Sequence, residues 1–334
     1  MKNSGSTSGV IGSFNQIEFI EEAVVSLVDQ VDELIVVDDQ SQDGTYEKLI
    51  HLESIYSELR VIKPKTKLGV SGVYNLAAME SNCEILLMQG GDDVSMEHRA
   101  KTQIAILEDP KISVAYSLPS LINRYSQILP ASAAPEFFRE WIYDDILAEL
   151  FYIGNFICAP SVAMRKADYL KLGGFPINVD AFQDYGLWLT AADIGNFKSS
   201  EAPVVKYRKH SRNLSKLDFS QSAANRRKIV EFEFVIDSVL PSISSDGLRG
   251  LLIAVGIYEF FDSPRLNEAL VKSKHPNKHV QLSAVQDLLH ESQNKDLAAD
   301  DLQTCSELIN QILATVDPNN ITFMQQAIDK FNAS

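Results

Sequence analysis

Residues 34–45, LIVVDDQSQDGT, decide how the rest of the chain is read. Four aliphatic residues run without alternation into two adjacent aspartates, and a polar turn punctuated by Gly44 follows. An unbroken Leu-Ile-Val-Val run is what a strand shows when both of its faces are buried, as in a parallel sheet covered by helices. Asp38 and Asp39 then stand at the carboxyl end of that strand, the edge where open α/β sheets bind ligands. A helix cap with its neighbour, ahead of an Asp43–Gly44 turn, is the plainer alternative.

The same texture extends outward from this strand. From about residue 8 to residue 118, GVIGSF, IEFIEEAVVSLVDQ, ELIVVDD, GTYEKLIHLESIYSEL, RVIKP, GVSGVYNLAAMES, CEILLMQ, a helical stretch from Met96 to Leu107, and ISVAYS follow one another. Strand and helix in alternation predict an α/β fold, a mostly parallel sheet with helices on both faces. Within it, CEILLMQGGDDV (83–94) repeats the layout of apolar strand, flexible turn and Asp-Asp, here Asp92 and Asp93. Two acidic pairs on one sheet edge repel unless a cation or hydrogen-bond donors lie between them. Hard oxygen ligands suit Mg²⁺ or Mn²⁺, ions able to bridge to a substrate diphosphate.

Pro119, Pro130 and Pro135 interrupt the region that follows, which reads as site-shaping loops. Order returns with CAPSVAMRKADYLKLGGF (158–175), FQDYGLWLTAADIG (182–195) and VVKYRKH (204–210). Beyond about Ser215, NRRKIVEFEFVIDSVL and LQTCSELINQILATV carry helical periodicity with few strand signals, which predicts a separate helical domain.

Composition sets outer bounds. Hydrophobic residues make up 45% of the 334 and charged residues 22%, as in ordinary globular chains. The 45 acidic against 30 basic residues, net −15, repel nucleic acid and anionic lipid alike. Cys83, Cys158 and Cys305 lack CxxC spacing, which fits free thiols in a reducing compartment and a cytoplasmic protein. MKNSGSTSG has no apolar run of the kind a secretory signal needs. LLIAVGIYEFF (251–261) falls short of the ~20 residues of a membrane span and reads as a buried helix.

The ordered motifs IGSFNQIEFIEEAVVSLVDQ, DELIVVDDQSQDGT, LGVSGVYNLAA and MQGGDDV resemble the nucleotide-binding half of the inverting family 2 glycosyltransferases of GT-A fold. GNFICAPSVAMRKADYLKLGGF, FQDYGLWL and VVKYRKHSRNLS resemble the acceptor half of the same family, in the same order. The resemblance covers residues 9–215. It implies a GT-A domain over 1–214, with a donor half of about 8–118 and an acceptor half of about 119–214, and a helical C-terminal domain over 215–334.

By the same resemblance, Ser13, Phe14 and Asn15 hold the nucleotide base, with Phe14 stacking on it or else serving as a core ring. Asp39 accepts the imide N–H of uracil with Asp38 in support, and Lys67 and Asn75 lie on the sugar-nucleotide side. Asp92, Asp93 and His210 hold the metal, although Gly90 stands where the family's first aspartate is usual; Gly12 replaces a proline, and Tyr74 a basic residue. Arg208, Lys209 and Arg212 neutralise phosphate. Asp184 is the catalytic base, with Gln183 in place of a glutamate. Gly173, Gly174, Gln183 and Trp188 line the acceptor side, Trp188 being either pocket or core. The function implied is metal-assisted transfer of a sugar from a nucleotide-diphosphate sugar, a UDP-sugar by expectation, to a glycan or lipid-linked acceptor. A lipid-linked acceptor would bring the cytoplasmic protein to the inner face of the membrane, and the helical region extends the acceptor site, serves self-association or docks a partner glycosyltransferase, its sequence choosing none of these. Two rivals stand beside this reading. A sugar nucleotidyltransferase needs a basic, glycine-rich loop where GSFNQIEF has none, and an inactive scaffold is favoured only by Gly90 and Gln183.

Overall fold

The computed structural model describes residues 5–133, 142–177, 179, 181–211, 213, 223–258, 260–293 and 299–314. In chain order the elements are β1 (Thr7–Ser13), α1 (Ile20–Val28), β2 (Glu33–Asp38), α2 (Thr45–Glu53), β3 (Leu59–Ile62), α3 (Gly69–Glu80), β4 (Ile85–Gly90), β5 (Val94–Ser95), α4 (Arg99–Leu107), β6 (Ile112–Tyr116), β7 (Ser120–Asn123) and β8 (Ile128–Leu129). After these come α5 (Ile146–Ala148), which runs into a π-helical turn at Glu149–Ile153, then β9 (Ala163–Arg165), α6 (Lys166–Lys171), α7 (Gln183–Ile194), β10 (Asn196–Ser199), β11 (Val205–Lys209) and α8 (Ala223–Val239). The last helices are α9 (Ser245–Ala254), α10 (Pro264–Ser273), α11 (Lys278–Glu291) and α12 (Ala299–Leu313). Among the described residues no helix is long and apolar enough to cross a membrane.

The chain divides into two compact units, one of residues 1–140 and 155–231, the other of residues 141–154 and 232–334. The expected boundary stood at 214/215, and it assigned 141–154 to the first unit. Two bonds show what holds that segment among the helices: Tyr152 Oη donates to Leu251 O at 3.0 Å, and His275 Nε2 to Phe151 O at 2.8 Å. Buried Glu149 meanwhile accepts from the backbone N–H groups of Ile142 and Tyr143, both at 3.0 Å.

In the first unit a seven-stranded sheet runs β10-β6-β9-β4-β1-β2-β3, with β9 antiparallel to β4 and β6 and the other pairs parallel. A second sheet of order β5-β11-β7-β8 lies in the same unit. The chain steps from β1 outward through β2 and β3, then returns on α3 to β4 on the other side of β1. That reversal is a topological switch point, and it opens a crevice at the carboxyl ends of β1, β2 and β4.

Burial explains the elements. α1 buries Ile20, Ala23, Val24, Leu27 and Val28, the i, i+3, i+4, i+7, i+8 stripe of a helix lying on a sheet. All but Ala23 pack with Ile11, Leu34, Val36 and Leu87 in one core, each buried large aliphatic side chain stabilising the fold by ~1.5–3 kcal/mol. Behind β4 the guanidinium of Arg99, fully buried, donates to Met88 O, Val162 O, Gln89, Ser95 and Gln103, so its charge is solvated by protein dipoles.

The 251–261 stretch departs from expectation. α9 stops at Ala254 because Gly256, at φ +80°, turns the chain left-handed, and the N–H of Ile257 closes on Leu252 O at 3.0 Å. Tyr258, 73% exposed, then points to solvent.

Candidate active site

Register builds the edge. Ser13 pairs with Asp38 across β1 and β2, and Gly12 with Gly90 across β1 and β4, so the ends of three strands lie side by side. Both loops leaving this edge need uncommon backbone: Asn15 has φ 52° and Gln40 φ 66°, left-handed values at non-glycine positions. Asn15 is fixed by its N–H to Ser41 Oγ at 2.9 Å and by its Oδ1, which accepts from Gln42 N at 2.9 Å.

The paired aspartates have separate tasks. Asp38 is fully buried, and its Oδ2 accepts from Ser41 N at 3.0 Å. Its Oδ1 and the neighbouring Ser13 Oγ are buried polar atoms without a protein partner. Asp39 accepts from Leu68 N at 2.6 Å and Gly69 N at 3.0 Å, so it closes the amino end of α3, where free N–H groups and the helix dipole favour a carboxylate. Two like charges can stand side by side here because each meets backbone donors. Asp43 forms the turn ahead of α2, its Oδ1 accepting from Thr45 N at 3.1 Å. Phe14 is 43% exposed, which excludes the core alternative, and Lys67 Nζ sits 3.4 Å from its ring centroid.

At the second acidic pair the structure revises the expected roles. Arg208 is 1% exposed: its Nε donates to Asp92 O at 2.6 Å, and its terminal nitrogens to Asn123 O, Ser126 Oγ and Glu22 Oε2. It clamps the Asp92–Asp93 turn instead of facing solvent as a phosphate ligand, and Arg212 lies outside the described residues. Asp93 is 2% exposed, and its Oδ1 accepts from Arg208 N at 2.9 Å. Burial and the adjacent Asp92 raise its pKa well above the usual carboxylate range. Asp93 therefore turns inward, away from the metal role expected of it. Asp92 and His210 do meet, Oδ2 to Nε2 at 2.8 Å, with 15% and 11% of their side chains exposed. The imidazole ring also packs on Phe19 at 5.0 Å between centroids. Among the described residues no three His, Cys, Asp or Glu side chains gather as a metal cluster.

Gly90 has a steric reason. A Cβ there would stand 2.6 Å from Asp93 Oδ2 and 2.7 Å from Asp92 Oδ1, so the two carboxylates fill the space that the family's first aspartate would need. Gly12 is confined likewise, its Cβ position lying 2.7 Å from Val73 and 3.2 Å from the Tyr74 ring. Tyr74 uses its hydroxyl on Gln89 O at 2.7 Å.

Asn75 is the clearest correction. Its Oδ1 accepts from Tyr169 Oη at 2.5 Å and Phe175 N at 2.9 Å, and its Nδ2 donates to Phe175 O at 2.8 Å. Its carboxamide is thus committed to bracing the Gly173–Gly174–Phe175 turn rather than a nucleotide. Gly173 and Gly174, at φ +85° and +70°, end α6 by donating to Leu170 O and Tyr169 O. Trp188 is corrected as well. It is fully buried and edge-on to Phe175 and Phe197, so it belongs to the core and lines no acceptor pocket.

Asp184 stands in the first turn of α7, half-buried. Its Oδ1 accepts from Tyr185 N at 2.8 Å and its Oδ2 from Asn155 Nδ2 at 3.1 Å. Burial pushes its pKa up to about 6, and those hydrogen bonds hold the rise back. Gln183 leaves its Oε1 buried and without a partner. Asn155 and the clamp role of Arg208 went unseen in the sequence; the one local signal for Asn155 was the preceding Gly154, at φ +114°. A pocket of about 300 Å³ between Phe19, Tyr125, Arg124 and the Lys209–His210 pair adjoins the Asp92 side.

Comparison with known proteins agrees with this architecture. The model of "Glycosyl transferase family 2" matches residues 8–173. Two uncharacterized glycosyltransferases of Haemophilus influenzae are 24% identical over 187 residues and 22% identical over 239, covering 54% and 69% of this chain. The chain spans 60% of the first relative's length and 73% of the second's. Among solved structures, S. aureus TarS 1–349 in complex with UDP-GlcNAc superposes with TM-score 0.57 at 16% identity, covering 92% of each chain. The mannosyltransferase PcManGT from Pyrobaculum calidifontis, in complex with GDP-Man and Mn²⁺, does so with TM-score 0.53 at 16% identity, over 98% of this chain and 85% of that one.

Proposed function

This chain belongs to glycosyl transferase family 2 through residues 8–173, and from that premise we propose an inverting transfer from a nucleotide-diphosphate sugar, a UDP-sugar first, with Asp184 as base. The observation that carries the reading is the state of Asp184. A carboxylate with a pKa of about 6 is largely ionised at neutral pH yet basic enough to take a hydroxyl proton as that oxygen attacks. The acceptor oxygen bonds to C1 of the sugar, the bond from C1 to the diphosphate breaks, and the proton goes to Asp184. One displacement of this kind inverts the anomeric configuration, and no residue is left carrying the sugar.

The donor binds at the carboxyl ends of β1, β2 and β4. The exposed face of Phe14 offers a stacking surface for the base once Lys67 moves off it. Asp39 keeps lone pairs beyond the two used on α3, so it can still accept a base N–H. Asp92 and His210, bonded to each other at 2.8 Å, would supply one hard oxygen and one imidazole nitrogen to a divalent ion that replaced their mutual bond and completed its shell with substrate phosphates. Such an ion would neutralise charge on the departing diphosphate. A surface glycan or lipid-linked saccharide is the proposed acceptor.

Calorimetric titration with UDP, GDP, dTDP and CDP, each with and without Mn²⁺, tests the donor half. Binding of one diphosphate that needs the metal and disappears in Asp92→Ala is expected. Absence of binding to all four would overturn the reading, and retention of the donor's anomeric configuration in the product would overturn the inverting step.

A further inference from the structure

Among the described residues, one side chain from outside its own helix holds Asp184. Asn155 Nδ2 donates to its Oδ2 at 3.1 Å, while its Oδ1 is tied to the backbone N–H of the next residue, Tyr185. The Asn155 carboxamide is itself locked, because its Oδ1 accepts from Ile157 N at 2.9 Å. With the oxygen end committed to that N–H, only the NH₂ end can face Asp184, so the amide can only donate to the carboxylate.

We propose that Asn155 is a positioning residue of the transfer reaction: its fixed carboxamide holds the Asp184 carboxylate in one orientation and stabilises its charged form. This rests on the reading of Asp184 as base. Three observations favour it over a plain turn-forming asparagine. The contact spans 29 positions of sequence and ends on the one carboxylate among the described residues of the acceptor half whose proton affinity burial raises. A hydrogen bond to the charged form opposes the burial that discourages ionisation, so the two together place Asp184 between an ordinary aspartate and a fully neutral one. No charged side chain weighs on Asp184 among the described residues. The titratable group that senses it is the buried Cys158 thiol, which burial, then Asp93, then Asp184 push up. Asn155 is accordingly the lever outside α7 on the proton affinity of this carboxylate.

The test reads the carboxylate directly and does not need the acceptor. The protein is labelled with ¹³C at aspartate Cγ, the Asp184 signal is assigned by its loss in Asp184→Asn, and its midpoint is followed from pH 4 to 8. Asn155→Ala should move the midpoint up by about one to two pH units, the loss expected for one hydrogen bond to a charged group. Asn155→Asp, nearly isosteric, should move it further because the donor becomes a second carboxylate. With the donor identified by titration, the acid limb of kcat should shift by the same amount while KM for the donor stays put. Thermal melts identify any variant that fails to fold, and the other variant then decides. A folded variant with an unmoved midpoint would overturn the proposal. If the midpoint moves but Asp184→Asn turns over like the parent, the base assignment fails and with it the catalytic meaning of Asn155, although the contact itself stands.

Discussion

Asp184→Asn should lose activity and gain stability at the same time, and the gain should depend on pH. Burial raises the carboxyl from its ordinary 3.8 to about 6. Between those values the folded chain keeps a proton that the unfolded chain has released, so stability falls as pH rises through that window and the full cost stands above about pH 6. Two pH units correspond to about 3 kcal/mol, an upper figure for a half-buried group. Asparagine has the same shape without the charge. It must, however, turn an NH₂ towards either Tyr185 N–H or Asn155 Nδ2, which takes back part of the gain. The variant should therefore be more stable than the parent by about 1–2 kcal/mol at pH 7.5, or roughly 2–8 °C in Tm, and no more stable than it near pH 4. Turnover should drop by about 10²–10⁴-fold, the usual contribution of a general base. Thermal melts across pH 4–8 beside a transfer assay measure both. An equal Tm difference at pH 4 and pH 7.5, or parental turnover, would refute the account of Asp184.

His275 in the helical unit gives the opposite pH sense. It is buried, with Nε2 donating to Phe151 O and Nδ1 accepting from Asn277 N, and burial lowers its pKa from 6.5 to about 4. Its contribution is present above pH 6.5 and lost as pH falls towards 4, up to about 3 kcal/mol, so circular dichroism during acid titration should show His275→Gln less acid-sensitive than the parent. Arg208→Met removes the clamp on the Asp92–Asp93 turn and should cost about 3–5 kcal/mol in urea melts, together with metal-dependent nucleotide binding. Gly174→Ala puts a Cβ 2.4 Å from Asn75 Oδ1 at φ +70°, whereas Gly173→Ala meets open space at φ +85°. The first should cost about 2–4 kcal/mol and the second about 1–2, and equal Tm losses would contradict the brace assigned to Asn75.

Much of the donor half was legible in the linear chain because its signals are local. An unbroken aliphatic run means a strand buried on both faces, and each of the β1, β2 and β4 runs ends at the residues that form the crevice. That the strands are covered on both faces, and that Asp38, Asp39 and Asp92 stand at carboxyl ends of strands, followed from the strand–helix alternation alone. The acceptor half was legible only as motifs. Asn75 reads like a polar residue free for a ligand, yet it is spent on a turn 100 residues away. Trp188 reads like a pocket aromatic, yet it closes a core with Phe175 and Phe197.

Residue types and their spacing thus determined the fold class and pointed to the site edge, since these depend on periodicity and on chemistry carried within a dozen residues, while Asp184 was marked as the proposed base by family resemblance. Tertiary structure alone decided which polar groups remain available there. Arg208 and Asp93 were withdrawn into a buried clamp, Asp92 and His210 were paired with each other at the edge, and Asn155 was brought to Asp184. Availability is a matter of which hydrogen bonds are already made, and those partners lie dozens to more than a hundred positions apart in the chain.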